Sequence, residues 1–464
     1  MQLNHKSSEN LEVSSLTSIS PIDGRYFQKN QSLRPLLSEY GLIKHRLIVE
    51  IKWLQHLVRD KNIINNVNDT EVQDELNLIL NNFNVEEAEK IKNIERTTNH
   101  DVKAVEYYLR DILQKKTQLK NLSNYVHFGC TSEDINNLAY GLIINKARSS
   151  IVVPCLTRLL EEMKKISHES ANIAMLSRTH GQAATPTTLG KEIANFCYRL
   201  EVQKRHWEDV AILGKLNGAV GNFNAFVAAF PQVNWEKKSR LFIEELGLSY
   251  NQYTTQIEPH DCIARYSNEL SLINSILIDF CQDIWTYISL SYFGQKIRED
   301  EVGSSTMPHK VNPIDFENAE GNSGISISLL KHFGQKLVVS RLQRDLSDST
   351  VMRNLGVAIA HTHLAIISIQ SGLKKLQINE KAISDDLAEE WQLLSEPIQT
   401  VLRTHGIDDA YEKLKHLSRG KNITKEKLFR FIDSLDLPAE TISQLKALTP
   451  SSYIGLAAKL AKEI

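Results

Sequence analysis

The chain has 464 residues, 42% of them apolar and 24% charged, with 54 Lys and Arg against 56 Asp and Glu for a formal net charge of -2. That composition describes a soluble globular protein with a sizeable core and two or three domains, and it gives no electrostatic case for nucleic acid or a membrane as partner. Five scattered cysteines, Cys130, Cys155, Cys197, Cys262 and Cys281, show no CxxC spacing, so they read as reduced thiols of a cytoplasmic protein and give no support to a zinc site.

Residues 1–10 are polar and lack the apolar run of a signal peptide. Up to about residue 40 the chain looks irregular, with a turn at Pro21, Asp23 and Gly24 presenting Arg25 and Tyr26. A helix follows, with Ile43, Leu47, Glu50 and Leu54 on one stripe and Leu42, Val49 and Trp53 beside it. The segment from Asp69 to Glu95 alternates in the same manner, and Val102, Val105, Leu109 and Ile112 form a further stripe after an Asn99 cap. Thr97, Thr98, Asn99, His100 and Asp101 precede one helix, and Thr131, Ser132, Glu133 and Asp134 precede another, with Thr131 and Asp134 at capping-box spacing. Each of these starts is either a plain cap or one of several N–H-rich ends that converge on an anion.

From about residue 121 to 360 the helices lengthen. Leu156, Leu159, Met163 and Ile166 mark one, and Ile193, Phe196, Leu200, Trp207 and Val210 another. Between them Ser177 to Gln182, closed by Pro186, is a polar island, and its His180 lies off any apolar stripe; a functional and a structural role stand equally open. Tyr253 to Asp261 is too polar and compact for a linker, so Gln256 and Glu258 either bind a ligand or brace a turn. Leu270 to Phe293 is apolar on most faces, but Asp279, Gln282 and Asp283 argue against a membrane span. Burial on all sides against other copies in an oligomer is the economical explanation.

Gly294 to Asn322 combines reactive side chains with small polar residues. Gly303, Ser304, Ser305 and Thr306 have no apolar periodicity and read as a mobile segment. Asn312 and Pro313 read as a helix start, with Asp315 and Glu317 in or near its first turn, which places Lys310 beside free N–H groups where a carboxylate or phosphate fits. An ordinary loop before a capped helix is the alternative. Arg341, Arg344 and Arg353, with Ser349 between them, either gather the positive charge an anion needs or form an exposed face paired with Asp345 and Asp348. Beyond His361 a helical segment carries Leu387, Trp391, Leu394, Ile398 and Leu402, Gly420 marks a break, and short amphipathic helices run from Thr424 to Ile464. Long alternating β-branched runs and internal repeats are absent, so the class is all-α, divided as 1–120, 121–360 and 361–464.

Several of these stretches are motifs. Gly303 to Asn312 reads GSSTMPHKVN, which resembles the GSSxMPxKxN hallmark of the fumarase/aspartase superfamily. Ser20–Tyr26, Thr97–Glu106, His127–Asn137, Ser177–Gln182, Thr254–Asp261 and Arg344–Asn354 are similar to motifs of its adenylosuccinate lyase group, longer bacterial type. The resemblance runs from about Leu11 to the C-terminus. Ala183 departs from the usual proline after THGQ, a change that removes no functional group.

The resemblance implies a three-domain, all-α fold whose central long-helix bundle assembles into a tetrameric core, with sites shared between subunits. It implies a lyase that releases fumarate by β-elimination from adenylosuccinate or from the succinylated aminoimidazole carboxamide ribotide, with purine nucleotides as its small-molecule partners and no metal or organic cofactor. In that scheme Ser304 is the general base, His180 the general acid and Glu317 the group that orients the acid. Lys310 and Asn312 hold the succinyl carboxylates, Asn318 joins the substrate-binding set, and Gln256 meets the succinyl or base portion. Arg25, Tyr26, Arg344, Ser349 and Arg353 take the phosphate and ribose, while Asn99, His100, Asp101, Thr131 and Ser132 line the remainder. An argininosuccinate or aspartate lyase is disfavoured by the Thr97, Ser177 and Arg344 motifs. A noncatalytic helical scaffold should have lost Ser304, His180 or Lys310, and all three are present.

Overall fold

Helix α1 (Glu39–Val58) starts where Ser38 accepts a hydrogen bond from the Gly41 N–H, and it buries Leu42, Ile43, Leu47, Val49, Ile51, Trp53, Leu54 and Leu57. The computed structural model describes residues 12–65, 67–296, 307, 310–407, 409–418 and 423–464. Helices α2 (Asp69–Asn81), α3 (Val85–Thr98) and α4 (Asp101–Gln114) follow, capped by the side chains of Asn68, Asn84 and His100. Asn99 therefore does not open α4. It closes α3 in the left-handed conformation, φ 51° and ψ 34°, which asparagine tolerates and which ends a helix cleanly. Helix α5 (Ser132–Ala147) does start from the Thr131/Asp134 capping box.

Helix α5 continues through a π-turn at Arg148–Val152 into α6 (Val153–Glu169). Pro154 supplies no backbone N–H, and the wider turn ahead of it accommodates the loss. Strands β1 (Ala174–Thr179) and β2 (Gln182–Thr188) then form a hairpin before α7 (Leu189–Glu208). Leu213–Gly214 (β3) and Ser249–Tyr250 (β4) make a short parallel pair, with α8 (Trp235–Glu245) between them. Helix α9 (Asp261–Ser289) leads to β5 (Phe293–Gln295), then α10 (Ile314–Lys336) and α11 (Leu355–Lys375), and β6 (Leu376–Ile378) pairs antiparallel with β5. Helices α12 (Glu380–Ala388) and α13 (Ser395–Thr404) precede short helices at Ala410–Ser418, Lys425–Asp433, Ala439–Ala447 and Ala457–Lys462. Helices dominate throughout the described residues, and strands occur only in these three two-stranded pairs.

The chain divides into two compact units: Met1–Cys155, Lys204–Ser275 and Asn322–Leu364 in the first, Leu156–Gln203, Ile276–Gly321 and Ala365–Ile464 in the second. The first is centred on aromatic packing, with Trp53 5.0 Å from Phe242 and Phe226 4.9 Å from Trp235 between ring centroids. Phe226 lies so close to Gly129, at φ 71°, that a Cβ there would sit 2.4 Å from the ring, so only glycine lets the chain run past it toward Thr131. Asn274, Ser326 and Thr362 join α9, α10 and α11 through a buried hydroxyl network with contacts of 2.8 Å. In the second unit Phe196 meets Phe280 edge-on at 5.3 Å, and Leu394, Ile398, Leu402, Leu414, Leu428 and Ile432 form a C-terminal core.

The helix expected to be enclosed on all faces is not enclosed within one chain. Along α9 Arg265, Asn268, Leu272, Ser275, Gln282 and Trp285 form an exposed stripe, with Leu272 45% and Trp285 48% accessible. The stretch Ser347–Lys375, which includes α11, is long and apolar enough to span a bilayer yet is mostly packed inside the fold. Gly420 lies outside the described residues.

Candidate active site

In the first unit the polar helix starts meet around α1, α4 and α5. His100 accepts the Lys103 N–H on Nδ1 at 3.1 Å, so a neutral ring carries its proton on Nε2, which faces Ser132 Oγ at 3.5 Å. Asp101 accepts from Arg46 at 2.6 Å and from Arg353 at 2.9 Å, and Arg353 also binds Glu39 at 3.0 Å. Burial opposes the charge on Asp101, but the Arg46 and Arg353 guanidiniums outweigh it and hold the carboxyl below its usual range. Glu133, the residue after Ser132, pairs with Arg344 at 3.0 Å, and Asp348 accepts the Ser349 N–H at 2.7 Å. His100, Asp101, Ser132, Arg344, Ser349 and Arg353 thus belong to one neighbourhood. Asn99 and Thr131 stand beside it in sequence.

The start of α5 is fixed by a buried pair. Asp134 and Lys215 are both 0% exposed, with Nζ and Oδ1 3.0 Å apart. The same carboxylate accepts the N–H groups of Thr131, Asn217 and Gly218 at 2.8, 2.9 and 3.1 Å. Charge and donors are therefore both satisfied, as a buried carboxylate requires. Gly24 and Tyr26 hydrogen-bond back to Ser20 and Pro21, forming the expected turn, and its Arg25 is exposed. Ile22 and Asp23 of that turn share a cavity of about 300 Å³ with Glu39 and Arg353. Gln256 is half-buried in the Tyr253–Asp261 stretch.

The second unit holds His180. Strands β1 and β2 pair Arg178 with Ala183 and Thr179 with Gln182, which leaves His180 and Gly181 as a two-residue turn. Both have positive φ, 54° and 72°, the pattern of the type I′ turn that suits the twist of a hairpin. The imidazole is exposed at the tip. What reads as a polar island between helices is therefore the tip of a β-hairpin.

Residues near the start of α10 lie in the same unit. Glu317 accepts a hydrogen bond from Trp285 Nε1 at 3.2 Å, and Asn318 accepts one from Ser368 Oγ at 2.9 Å. Lys310 is exposed, and its N–H bonds Met307 O at 3.0 Å. The helix begins at Ile314, so Pro313 stands at its cap and Asn312 one residue earlier than expected. Ser304 lies outside the described residues, as do residues 297–306 and 308–309. No bond between His180 and Glu317 occurs among the described residues of one chain.

Some contributors escape the motifs. Arg46 orients Asp101, and Glu50, 0% exposed, binds His127 Nδ1 at 2.6 Å. Both occupy a helix stripe that is otherwise apolar; a charged residue within such a stripe is the signal that marks them.

Residues 24–325 match a lyase family model, and residues 340–454 match that of the adenylosuccinate lyase C-terminal region. The chain is 52% identical over 453 residues to an adenylosuccinate lyase of Legionella pneumophila strain Corby, covering 97% of this chain and 99% of that one. It is 50% identical over 455 residues to the adenylosuccinate lyase of Escherichia coli K12, covering 98% and 100%. A fumarate lyase structure from Mesorhizobium sp. BNC1 shares the fold, with a TM-score of 0.75 at 16% identity, covering 93% of this chain and 96% of its own. So does the 3-carboxy-cis,cis-muconate lactonizing enzyme of Pseudomonas putida, with a TM-score of 0.73 at 18% identity, covering 93% and 95%. Matched along nearly its whole length, the chain belongs to the adenylosuccinate lyase family.

Proposed function

We propose that the chain cleaves adenylosuccinate to AMP and fumarate, and the succinylated aminoimidazole carboxamide ribotide to its carboxamide ribotide and fumarate, in the cytoplasm. The observation that carries this reading is the near-complete coverage of relatives bearing that name. The reaction removes a proton from the carbon beside a carboxylate and expels nitrogen from the next carbon. The developing aci-anion needs fixed positive charge, and the departing nitrogen needs a proton.

In this proposal Ser304 takes the proton, which requires that nearby donors stabilise its alkoxide. Lys310 and Asn312 hold the succinyl carboxylates, with Asn318 close by in sequence, and Gln256 meets the succinyl or base portion. His180 protonates the leaving nitrogen. The exposure of the hairpin tip and the engagement of Glu317 with Trp285 support a pairing of His180 with Glu317 of another copy rather than of the same chain. Arg25, Tyr26, Arg344, Ser349 and Arg353 receive phosphate and ribose, while Asn99, His100, Asp101, Thr131 and Ser132 line the rest. A homotetramer burying the α9 stripe, with Leu272 and Trp285 in the interface, supplies the other copies.

A substrate panel tests the proposal. Purified protein should convert adenylosuccinate with the ultraviolet change of the purine and leave argininosuccinate and aspartate intact. Activity on argininosuccinate with none on either purine substrate would sink it.

A further inference from the structure

The hairpin that carries His180 is held unevenly. Its inner half is anchored by burial of Met175 and Leu176 on β1 and of Pro186, Thr187 and Thr188 on β2. Its outer half, from Arg178 to Ala183, is exposed and carries no apolar side chain larger than the methyl group of Ala183 to anchor it in a core. Polar ties to Tyr292, just before β5, and to the segment after β6 must therefore set where the tip points.

Two such ties occur among the described residues. On β2, the Thr185 hydroxyl bonds the Glu396 carboxylate at the start of α13. On β1, Arg178 forks: Nη1 donates to the Tyr292 hydroxyl at 2.8 Å and Nη2 to Asp386 Oδ2 at 2.5 Å. The Tyr292 hydroxyl in turn donates to the same Asp386 oxygen, closing a three-membered ring of bonds. Tyr292 is 1% exposed and stacks on Tyr287 of α9 at 6.0 Å, so its oxygen is a fixed post. Asp386 belongs to α12, which packs along β1. The planar guanidinium can satisfy both partners only in one orientation, and that orientation is imposed two residues before His180.

We propose that Arg178, Tyr292 and Asp386 form a positioning node that aims the hairpin tip, and with it His180, so that the segment after β6 acts on catalysis without touching substrate. This rests on the reading of His180 as the general acid. An acid displaced by a fraction of an ångström transfers its proton poorly while substrate still binds, so the loss falls on kcat.

The test uses the full-length enzyme with Tyr292→Phe, Asp386→Asn, Arg178→Gln and the double variant Arg178→Gln/Asp386→Asn, assayed on adenylosuccinate across pH. Asp386→Asn and Arg178→Gln should each lower kcat about 10- to 100-fold with KM within about twofold, and should move the pH at which kcat falls. The double variant should lose no more than either single one, because all three groups act as a unit. Tyr292→Phe deletes a single oxygen and should show a smaller loss in the same direction; it decides the matter where Asp386→Asn fails to fold. Wild-type kcat and pH profile in the singles, with only a lowered Tm, would overturn the node. His180→Ala is run beside them: retained turnover there overturns the acid reading, whereas an inactive His180→Ala with unaffected Asp386→Asn overturns the node alone.

Discussion

Asp134→Asn should be strongly destabilising, because it removes one charge of a fully buried pair. It keeps the shape of the side chain and removes its charge. The carboxylate now accepts Lys215 Nζ and three backbone N–H groups, on both oxygens, in a site with 0% exposure. An amide in either orientation turns its NH₂ toward some of those donors and leaves the Lys215 ammonium without a counter-charge. Removing one member of a buried pair costs about 3–5 kcal/mol, because the survivor has no access to water. Lys215→Met should cost less, since the carboxylate keeps its backbone donors. Equilibrium urea unfolding, at equal protein concentrations because any assembly makes stability concentration-dependent, measures both. A loss below about 1 kcal/mol in Asp134→Asn, the level of a surface pair, would show that the pair is not buried and mutually dependent.

Two pH dependences follow with opposite signs. The folded pKa of Asp101 is depressed, so its contribution is present above the unfolded value of about 3.9 and fades as pH falls through the folded value. Arg46→Met should therefore destabilise fully at neutral pH, with the gap to wild type closing in acid; a gap constant with pH contradicts this. His127 is the reverse case: burial lowers its pKa, but the Glu50 carboxylate raises it more, so the folded value lies above the ordinary one. Its contribution is present below about pH 6.5 and lost as pH rises through the folded value. Glu50→Gln should widen its deficit toward acid and narrow it toward alkali, as read by urea midpoints across pH. In a third experiment, His180→Ala and Ser304→Ala proteins, mixed under conditions that exchange subunits, should regain part of the turnover that each lacks alone; no recovery in mixed assemblies contradicts a shared site.

Much of this architecture is legible in the order of side chains, because a helix writes its buried face every 3.6 residues and α1, α4 and α7 do so plainly. The capping box at Thr131 is legible for the same reason: it is local chemistry. The hairpin at His180 is not, since its strands are short, small-residued and half-exposed, and alternation over so few residues resembles a loop. Asn99 looks like a helix start and closes the helix before it, because asparagine suits both ends and only the backbone angle decides. The buried partnerships of Arg46, Glu50 and Lys215 join residues far apart in sequence, which no local pattern records. Arg178 reads as one more polar residue of a motif until the fold brings Tyr292 and Asp386 to it.

The proposed reaction is defined by the bond that breaks and by the groups that move the protons. Product analysis on adenylosuccinate tests it most directly, with AMP and fumarate quantified together for wild type, Ser304→Ala and His180→Ala at matched, assembled protein. The wild type should release one fumarate per AMP, and either variant essentially none. Fumarate release by a variant at the wild-type rate, or no fumarate from the wild type, would contradict it.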